Sequence, residues 1–468
     1  MLVFLFVLVC AIIFKGEKNM NLKDYLKTCT ETYHTTLDPE SPGVVRIHLV
    51  PPKKLKPNIP WVVIINGYSI LPFQSAWAVL LKIFIETLNN SKKAPLSAED
   101  VKEVMDVTVN KMKEIFPRTD KDIFKKDLKD MVQTFTDIAR GKEVNAEIGF
   151  MSLAEYGKYM SAPHRMDLMI SAMEKNGCWN CNCHCIHCYA SGEELANNKE
   201  LNTDEWKKVI DKLKDAGIPQ ITFTGGEPTV RGDLVELVDY SKWFMTRLNT
   251  NGILLTELLC NDLRKASLDS VQITLYSSNA AIHNLLVGGD HFNDTVNGIK
   301  NAVKAGLDVS INTPLCSLNK DYLETVKFAE SLGVRYFSSS GLIPSGNALK
   351  DDSSMTRLSN EEIKNVLKEA LEYGKEKELE FSFTSPGWID EKFLNKYKMV
   401  VPSCGACLSN MAISPDGLVI PCQSWLSGDN FGRIIDLKWK DIWNNKKCKE
   451  IRKEAMKTSQ KCLLWDGK

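Results

Sequence analysis

The chain lacks a charge of predominant sign: its 468 residues carry 59 Lys plus Arg against 59 Asp plus Glu. The basic excess with which nucleic-acid binders neutralise phosphates is therefore absent, and no nucleic-acid partner is expected. The N-terminal apolar stretch MLVFLFVLVCAIIF has fourteen residues, where about 20 are needed to span a bilayer. It lacks the basic residues before, and the small-residue cleavage site after, that mark a secretory signal, and Lys15 follows it directly. Two readings stay open for residues 1–20: a short membrane-associating segment, or an over-extended start with Met20 as the alternative. Neither touches the chemistry, and a cytoplasmic location is expected. No internal repeat or low-complexity tract stands out.

What the sequence does have is cysteine. There are fourteen, and Cys178, Cys181, Cys183, Cys185 and Cys188 fall within one short stretch. In a large chain such clustering favours metal binding in a reducing compartment over disulfide staples. The remaining composition, 44% hydrophobic and 25% charged, is ordinary for globular proteins, and the length suggests two to four domains.

Residues 21–145 form a region without clustered cysteines. VVRIHLV (44–50) and WVVIIN (61–66) read as strands around the basic, proline-rich PPKKLKPNIP. FQSAWAVLLKIFIETLN is apolar all round, as in a buried helix. Ser97, followed three residues later by Asp100, caps a second helix, and a third runs from Asp120 to Arg140. Two strands and three helices predict a small α+β domain. From about 166 to 345 short strands alternate with helices: DLMISAM, QITF (220–223), FMTRLN, SVQITL (270–275), DVSIN (308–312) and RYFSSS. Six βα units predict an α/β fold, a partial (β/α)6 TIM-like barrel assigned to 160–385, with its active site at the C-terminal strand ends. Residues 400–468 form a second cysteine-bearing region, in which NMAISPDGLVIPC reads as a hairpin turning at Pro415-Asp416-Gly417.

Within CNCHCIHCY (181–189), Cys181, Cys185 and Cys188 are spaced C-x3-C-x2-C. Three thiolates on one loop can cap three corners of an iron–sulfur cube and leave the fourth iron open. CWNC and CIHC also read as paired zinc-binding CxxC, although only Asn182, Cys183 and His184 separate Cys181 from Cys185, a short loop for closing a tetrahedron. His184 and His187 read as loop polar residues rather than ligands.

After the strand QITF comes TGGEPTVRGDL, with Gly225, Gly226, Glu227 and Pro228. The cysteine loop and this turn, in this order and on successive strand ends, resemble the radical S-adenosylmethionine (SAM) superfamily. LNTNG (248–252), VQITLYSSNAAIH and LIPSGNA (342–348) extend the resemblance over 166–345. It implies a [4Fe-4S] cluster held by Cys181, Cys185 and Cys188, with SAM on its open iron. It also implies that the Gly225–Pro228 turn and Glu227 hold the SAM amino group, that Tyr189 lies beside the adenine, and that Asn251 and Thr274 contact the ribose or methionine part. The implied reaction is reductive cleavage of SAM to a 5′-deoxyadenosyl radical that abstracts hydrogen from substrate, with a one-electron donor such as a flavodoxin or ferredoxin as partner. Where the family often has Ser-x-Asp at the fourth strand, Thr274 and Tyr276 stand here, so no carboxylate acts at that position.

Cys404, Gly417 and Cys422 are spaced C-x12-G-x4-C, which resembles the start of the SPASM extension that carries auxiliary clusters in peptide-modifying members. Cys407 lies within reach of the same cluster. Cys462 could open the family's later cysteine run, but Trp465 stands where the next cysteine belongs. Two readings stay open, a reduced, twitch-like extension or a truncated chain, and Cys404, Cys407, Cys422 and Cys462 could together hold one auxiliary [4Fe-4S] cluster. Cys10, Cys29, Cys260, Cys316 and Cys448 are read as inert thiols. The resemblance extends faintly to the N-terminal region, which is similar to peptide-recognition domains that bind a leader peptide by adding a strand to a sheet edge. The leading reading is modification of a ribosomally made peptide or a protein. The alternatives are cofactor or tetrapyrrole synthesis, or a zinc- or iron–sulfur-binding electron-transfer protein. No catalytic acid, base or radical-quenching residue is evident.

Overall fold

The computed structural model describes residues 22–37, 44–52, 59–67, 69–91, 96–142, 144, 149–171, 181–191, 199–349, 356–426, 428–458 and 461–464. Cys10, Cys178, Trp465 and the N-terminal apolar segment lie outside them. The chain divides into two compact units, residues 1–160 and 161–468.

In the first unit a short helix α1 (Leu22–Lys27) precedes four strands, β1 (Tyr33–Leu37), β2 (Val45–Val50), β3 (Trp61–Ile65) and β4 (Ser69–Phe73). They pair as an antiparallel meander in the order β1-β2-β3-β4. Helices α2 (Ser75–Ser91), α3 (Ala98–Ile115), α4 (Lys121–Ala139) and α5 (Leu153–Gly157) follow. Residues Ala78 to Ile85 of α2 are buried without a gap, as its all-round apolarity requires. Ser97 and Asp100 form a reciprocal capping box at the start of α3, and Asp120 caps α4. Ile47, Leu49, Trp61, Val63, Leu80 and Phe135 form the centre of this unit's core. Two strands are corrections to the sequence reading. YHTTL and SILPF pair at the two edges of the sheet, where polar or proline-containing sequence is tolerated.

The second unit is built on parallel strands β5 (Arg165–Met169), β6 (Gln220–Thr224), β7 (Met245–Thr250), β8 (Ser270–Thr274), β9 (Asp308–Pro314) and β10 (Tyr336–Ser340). Between them lie helices α6 (Thr203–Asp215), α7 (Leu234–Tyr240), α8 (Glu257–Lys265), α9 (Ala280–Val287), α10 (Phe292–Lys304) and α11 (Tyr322–Ser331). The six expected βα units are present, and the sheet extends beyond them. Helix α12 (Asn360–Lys377) leads into a seventh parallel strand, β11 (Glu380–Phe383), paired to β10. After α13 (Glu391–Lys396), the hairpin strands β12 (Asn410–Ile413) and β13 (Val419–Ile420) join the same sheet, β12 lying parallel to β5 with Asn410 opposite Arg165. The order is β11-β10-β9-β8-β7-β6-β5-β12-β13. Helices α14 (Trp439–Trp443) and α15 (Lys446–Lys457) close the chain. Among the described residues no helix is long and apolar enough to cross a membrane.

Alternate residues of each parallel strand differ in character, as the two-residue period demands. Leu168, Ile221, Phe223, Leu248, Val271 and Ile273 are fully buried apolar side chains. The opposite parity carries Asp167, Thr222, Arg247, Gln272, Ser310 and Asn312. One face of the sheet is therefore apolar and the other polar.

Candidate active site

The site is assembled at the C-terminal ends of β5, β6, β7 and β10. The cysteine loop, residues 181–191, is held from several sides. The His184 and Ile186 N–H groups donate to the Val287 and Leu286 carbonyls at the end of α9 (2.9 and 3.1 Å). A Cβ on Gly288, which has φ +72°, would strike the His184 carbonyl, so the loop seats directly on this residue's backbone. Asn347, after β10, donates its N–H to the Cys188 carbonyl (2.8 Å) and its Nδ2 to the Cys185 carbonyl (3.1 Å). From the end of β7, Asn251 Nδ2 donates to Asn182 Oδ1 (2.7 Å) and to Cys183 Sγ (3.4 Å).

Cys181, Cys185 and Cys188 are half-buried on this loop, while Cys183 is buried behind them and hydrogen-bonded to both Cys181 and Cys185. That hydrogen bonding pushes the Cys183 thiol pKa up and draws that of Cys181 down. Burial first, then Cys185, raises the Cys188 thiol to about 12. Cys183 packs with Tyr276, Leu286, Val287, Cys316 and Leu342 in one apolar cluster under the loop. His187 is buried, its Nε2 2.7 Å from Thr356 Oγ1, and burial lowers its pKa. Among the described residues no three His, Cys, Asp or Glu side chains converge as ligands of a single metal ion would.

The turn after β6 faces this loop. Gly225 has φ +140°, and a Cβ there would lie 2.7 Å from Ser171 Oγ and 2.9 Å from Ser171 N, which only glycine avoids. Pro228 opens a single 3₁₀ turn, Pro228–Val230, as its fixed φ allows. Glu227 is buried, and its carboxylate gathers four donors. Thr229 N–H and Thr229 Oγ1 donate to Oε1 (3.0 and 2.6 Å), Thr250 Oγ1 donates to the same oxygen (2.6 Å), and Asn251 N–H donates to Oε2 (2.8 Å). Burial raises its pKa, and these donors pull it back. Glu227 thus ties the β6 turn to the end of β7, leaving Oε2 with one donor from the chain. Tyr189 packs its half-buried side chain beside Met169, Ala190, Ala412 and Ile420, with its hydroxyl hydrogen-bonded to Thr224. Thr274 ends β8, half-buried and opposite Asn312.

The C-terminal thiols form a second group. Burial raises the Cys422 thiol to about 12, with Cys404 and Cys462 contributing through their charges. Cys407 is fully buried and hydrogen-bonded to Cys448, a residue that sequence reasoning left as an isolated inert thiol. The missed signal is the spacing of Cys448 and Arg452, one helical turn apart on α15.

The likeness to known proteins agrees with this architecture. Residues 179–329 match the Radical SAM superfamily model, and residues 404–463 match that of an iron-sulfur cluster-binding domain, SPASM. The chain thus carries a radical SAM domain and a SPASM domain, a combination that implies a [4Fe-4S] cluster, SAM and auxiliary iron–sulfur binding. Among curated relatives, the AdoMet-dependent heme synthase of Oleidesulfovibrio alaskensis is 28% identical over 282 residues, 56% of this chain and 72% of that one. The protein of the same name from Methanosarcina barkeri is 27% identical over 308 residues, 62% of this chain and 86% of its own. Among solved structures, Streptococcus suis SuiB bound to precursor peptide SuiA superposes with a TM-score of 0.57 at 14% identity, covering 86% of this chain and 92% of SuiB. That coverage exceeds what residues 161–468 can supply, so the shared fold reaches into the N-terminal unit.

Proposed function

We propose that the chain is a peptide-modifying radical SAM enzyme in which the N-terminal unit engages the peptide and the second unit performs the chemistry. The observation that carries this reading is the fold likeness to SuiB, a protein solved with its precursor peptide, extending over more of the chain than the catalytic unit.

Cys181, Cys185 and Cys188 are the proposed ligands of the SAM cluster. The fit rests on three half-buried thiols on one loop that is fixed by Asn251, Asn347 and the end of α9. When bound, the reduced cluster and SAM supply a carbon radical able to abstract hydrogen from an unactivated C–H bond. The chain's own residues bind, orient and shield. Gly225 lets the β6 turn close onto Ser171 beyond the end of β5, and the methionine end of SAM is assigned to this turn. Glu227 Oε2 offers its remaining acceptor capacity to the ammonium, and Tyr189 gives the adenine an aromatic wall. Asn251 links the carboxylate of Glu227, through its backbone N–H, to the cysteine loop, through its side-chain amide, so one residue relates the two positions. Thr274 faces the same strand-end layer. Cys404, Cys407, Cys422 and Cys462 are the proposed auxiliary ligands.

Peptide docking at the sheet edge is constrained by β4. Met151 N–H donates to the Ile70 carbonyl (3.0 Å), which places the backbone groups of residue 70 on the outer edge. By the alternation of antiparallel pairing, Pro72 also faces outward and has no N–H. The edge therefore presents the Ile70 N–H and the Pro72 carbonyl, enough for a short pairing rather than a long added strand.

A second reading is tetrapyrrole chemistry, favoured by the heme synthase names of the curated relatives. Anaerobic reconstitution tests both. Reductive formation of 5′-deoxyadenosine stimulated by a peptide encoded beside this gene, with a mass change in that peptide, supports the first reading. Stimulation by iron coproporphyrin III and none by the peptide supports the second. No SAM cleavage with a fully loaded cluster refutes both.

A further inference from the structure

On β6 to β9 the residues that alternate with the buried apolar row are polar: Thr222 and Thr224, Arg247 and Asn249, Gln272 and Thr274, Ser310 and Asn312. At one end of the sheet this row turns apolar. Met169 lies opposite Thr224 across β5 and β6, in the row of Asp167. Ala412 lies opposite Asp167 across β12 and β5, and Ile420 lies opposite Ala412 across the hairpin. Residues opposite one another share a face, so Met169, Ala412 and Ile420 stand together. With Ala190 they form a buried apolar cluster against which Tyr189, Cys188 and Leu426 pack. Met169 precedes the cysteine loop and Ala190 ends it, whereas Ala412, Ile420 and Leu426 belong to the SPASM domain.

The hairpin is a fixed support rather than a flap. Ser414 N–H donates to the Leu418 carbonyl (2.9 Å), and Leu418 N–H donates to Ser414 Oγ (3.0 Å). Leu201 N–H holds the Pro415 carbonyl at the turn (2.8 Å). On the far side of β13, Val419 N–H donates to the Gly432 carbonyl (3.0 Å), and the Val419 carbonyl accepts the Phe431 N–H (2.8 Å). Both strands of the hairpin are therefore paired outward as well as to each other. We propose that Ile420 is a positioning residue for SAM, holding the Tyr189 ring in place from the SPASM domain. The proposal rests on the reading of Tyr189 as the adenine wall. A ring that meets a ligand on one side keeps its rotamer only if packing supports the other. Ile420 is the one β-branched side chain among the four buried residues, and its restricted χ1 makes it a stiff backing where Met169 is adaptable. Truncating it opens space into which the ring can turn. SAM affinity is thus set in part by a domain that supplies none of the residues assigned to SAM.

The test uses the full chain, reconstituted anaerobically and assayed for iron, with SAM and free methionine titrated separately by calorimetry. Ile420→Ala is expected to keep its iron and to lose about three- to tenfold in SAM affinity, the equivalent of one aromatic contact. Methionine affinity should stay at the parent value, and Ile420→Val should stay near the parent for both ligands. In a Tyr189→Ala background, Ile420→Ala should have no further effect on SAM, because the ring through which it acts is gone. Unchanged SAM affinity in Ile420→Ala, beside a loss in Tyr189→Ala, overturns the positioning role alone. Unchanged SAM affinity in Tyr189→Ala overturns the adenine-wall reading on which that role rests. Equal losses for SAM and methionine, or a loss that adds to that of Tyr189→Ala, also overturn the proposal, as does loss of iron from Ile420→Ala, since the hairpin would then support the whole cysteine loop. Should Ile420→Ala misfold by circular dichroism, Leu426→Ala, at a half-buried position of the same cluster, carries the same comparison with the same outcomes.

Discussion

Replacing Thr250 by Val removes a hydroxyl at nearly constant volume, so no cavity term obscures the result. Two interactions are lost. Thr250 Oγ1 donates to Glu227 Oε1 (2.6 Å) and accepts the Gly252 N–H (3.0 Å), in a residue only 5% exposed. A hydrogen bond to a charged group contributes about 1.5–3 kcal/mol, and a buried donor left unpaired costs about 1–3 kcal/mol. With partial relaxation, a loss of about 3 kcal/mol is expected at neutral pH, and Glu227 ionises less readily for want of a donor. The pH dependence has a definite sign. Burial raises the folded-state pKa of Glu227 above its ordinary 4.5, so its contribution to stability is present below 4.5 and is lost as pH rises through the folded value. The Thr250→Val penalty should therefore shrink on acidification through that range, as the carboxylate becomes a carboxylic acid needing fewer donors. Denaturant unfolding under anaerobic conditions at a series of pH values, with SAM affinity measured in parallel, provides the assay. A variant within about 0.5 kcal/mol of the parent at neutral pH, or a penalty independent of pH, would refute the view of Glu227 as a strut held by four donors.

Further outcomes follow from other parts of the second unit. Gly288→Ala places a Cβ against the His184 carbonyl at φ +72°; reconstituted iron should fall while circular dichroism stays near that of the parent, and full iron loading would contradict the seating of the loop there. His283 is buried, and its pKa is lowered by burial and by His291 to about 4, against an ordinary 6.5. Its contribution is present above 6.5 and is lost as pH falls toward 4, by about 3 kcal/mol in full; an imidazole that titrates near 6.5 by nuclear magnetic resonance would exclude this. Lys212 Nζ donates to the carbonyls of Ile434 (2.7 Å), Ile435 (2.6 Å) and Leu437 (3.1 Å). Lys212→Met should destabilise by about 1–3 kcal/mol and speed proteolysis near residue 435; unchanged cleavage there would exclude the clasp.

Much of the second unit was legible because its signals are local. The strands from QITF to RYFSSS are continuous or alternating apolar runs, and the capped helices between them have a clear period. The GGEP turn was legible through its resemblance to a family motif, whereas the contact with Ser171 that demands a glycine at 225 appears only in the fold. The seventh strand was missed because EFSF is four residues long and follows an eighteen-residue helix with little punctuation. SILPF was missed because Pro72 argues against a strand unless the strand is known to be an edge. The partnership of Cys407 with Cys448 and Arg452 was illegible for another reason. It depends on the placement of α15 against the hairpin, a contact across more than forty residues that no local spacing encodes.

The parallel pairing of β12 with β5 has a mechanical meaning. Neighbouring strands lie about 4.8 Å apart and share a ladder of backbone hydrogen bonds. The loop bearing Cys422 follows a hairpin anchored to the strand that precedes the cysteine loop, and Tyr189 packs beside Ala412 of that hairpin. The base of the Cys422 loop is thus tied to the base of the cysteine loop by a ladder rather than a hinge, a coupling insensitive to changes in the length of the 386–403 connection.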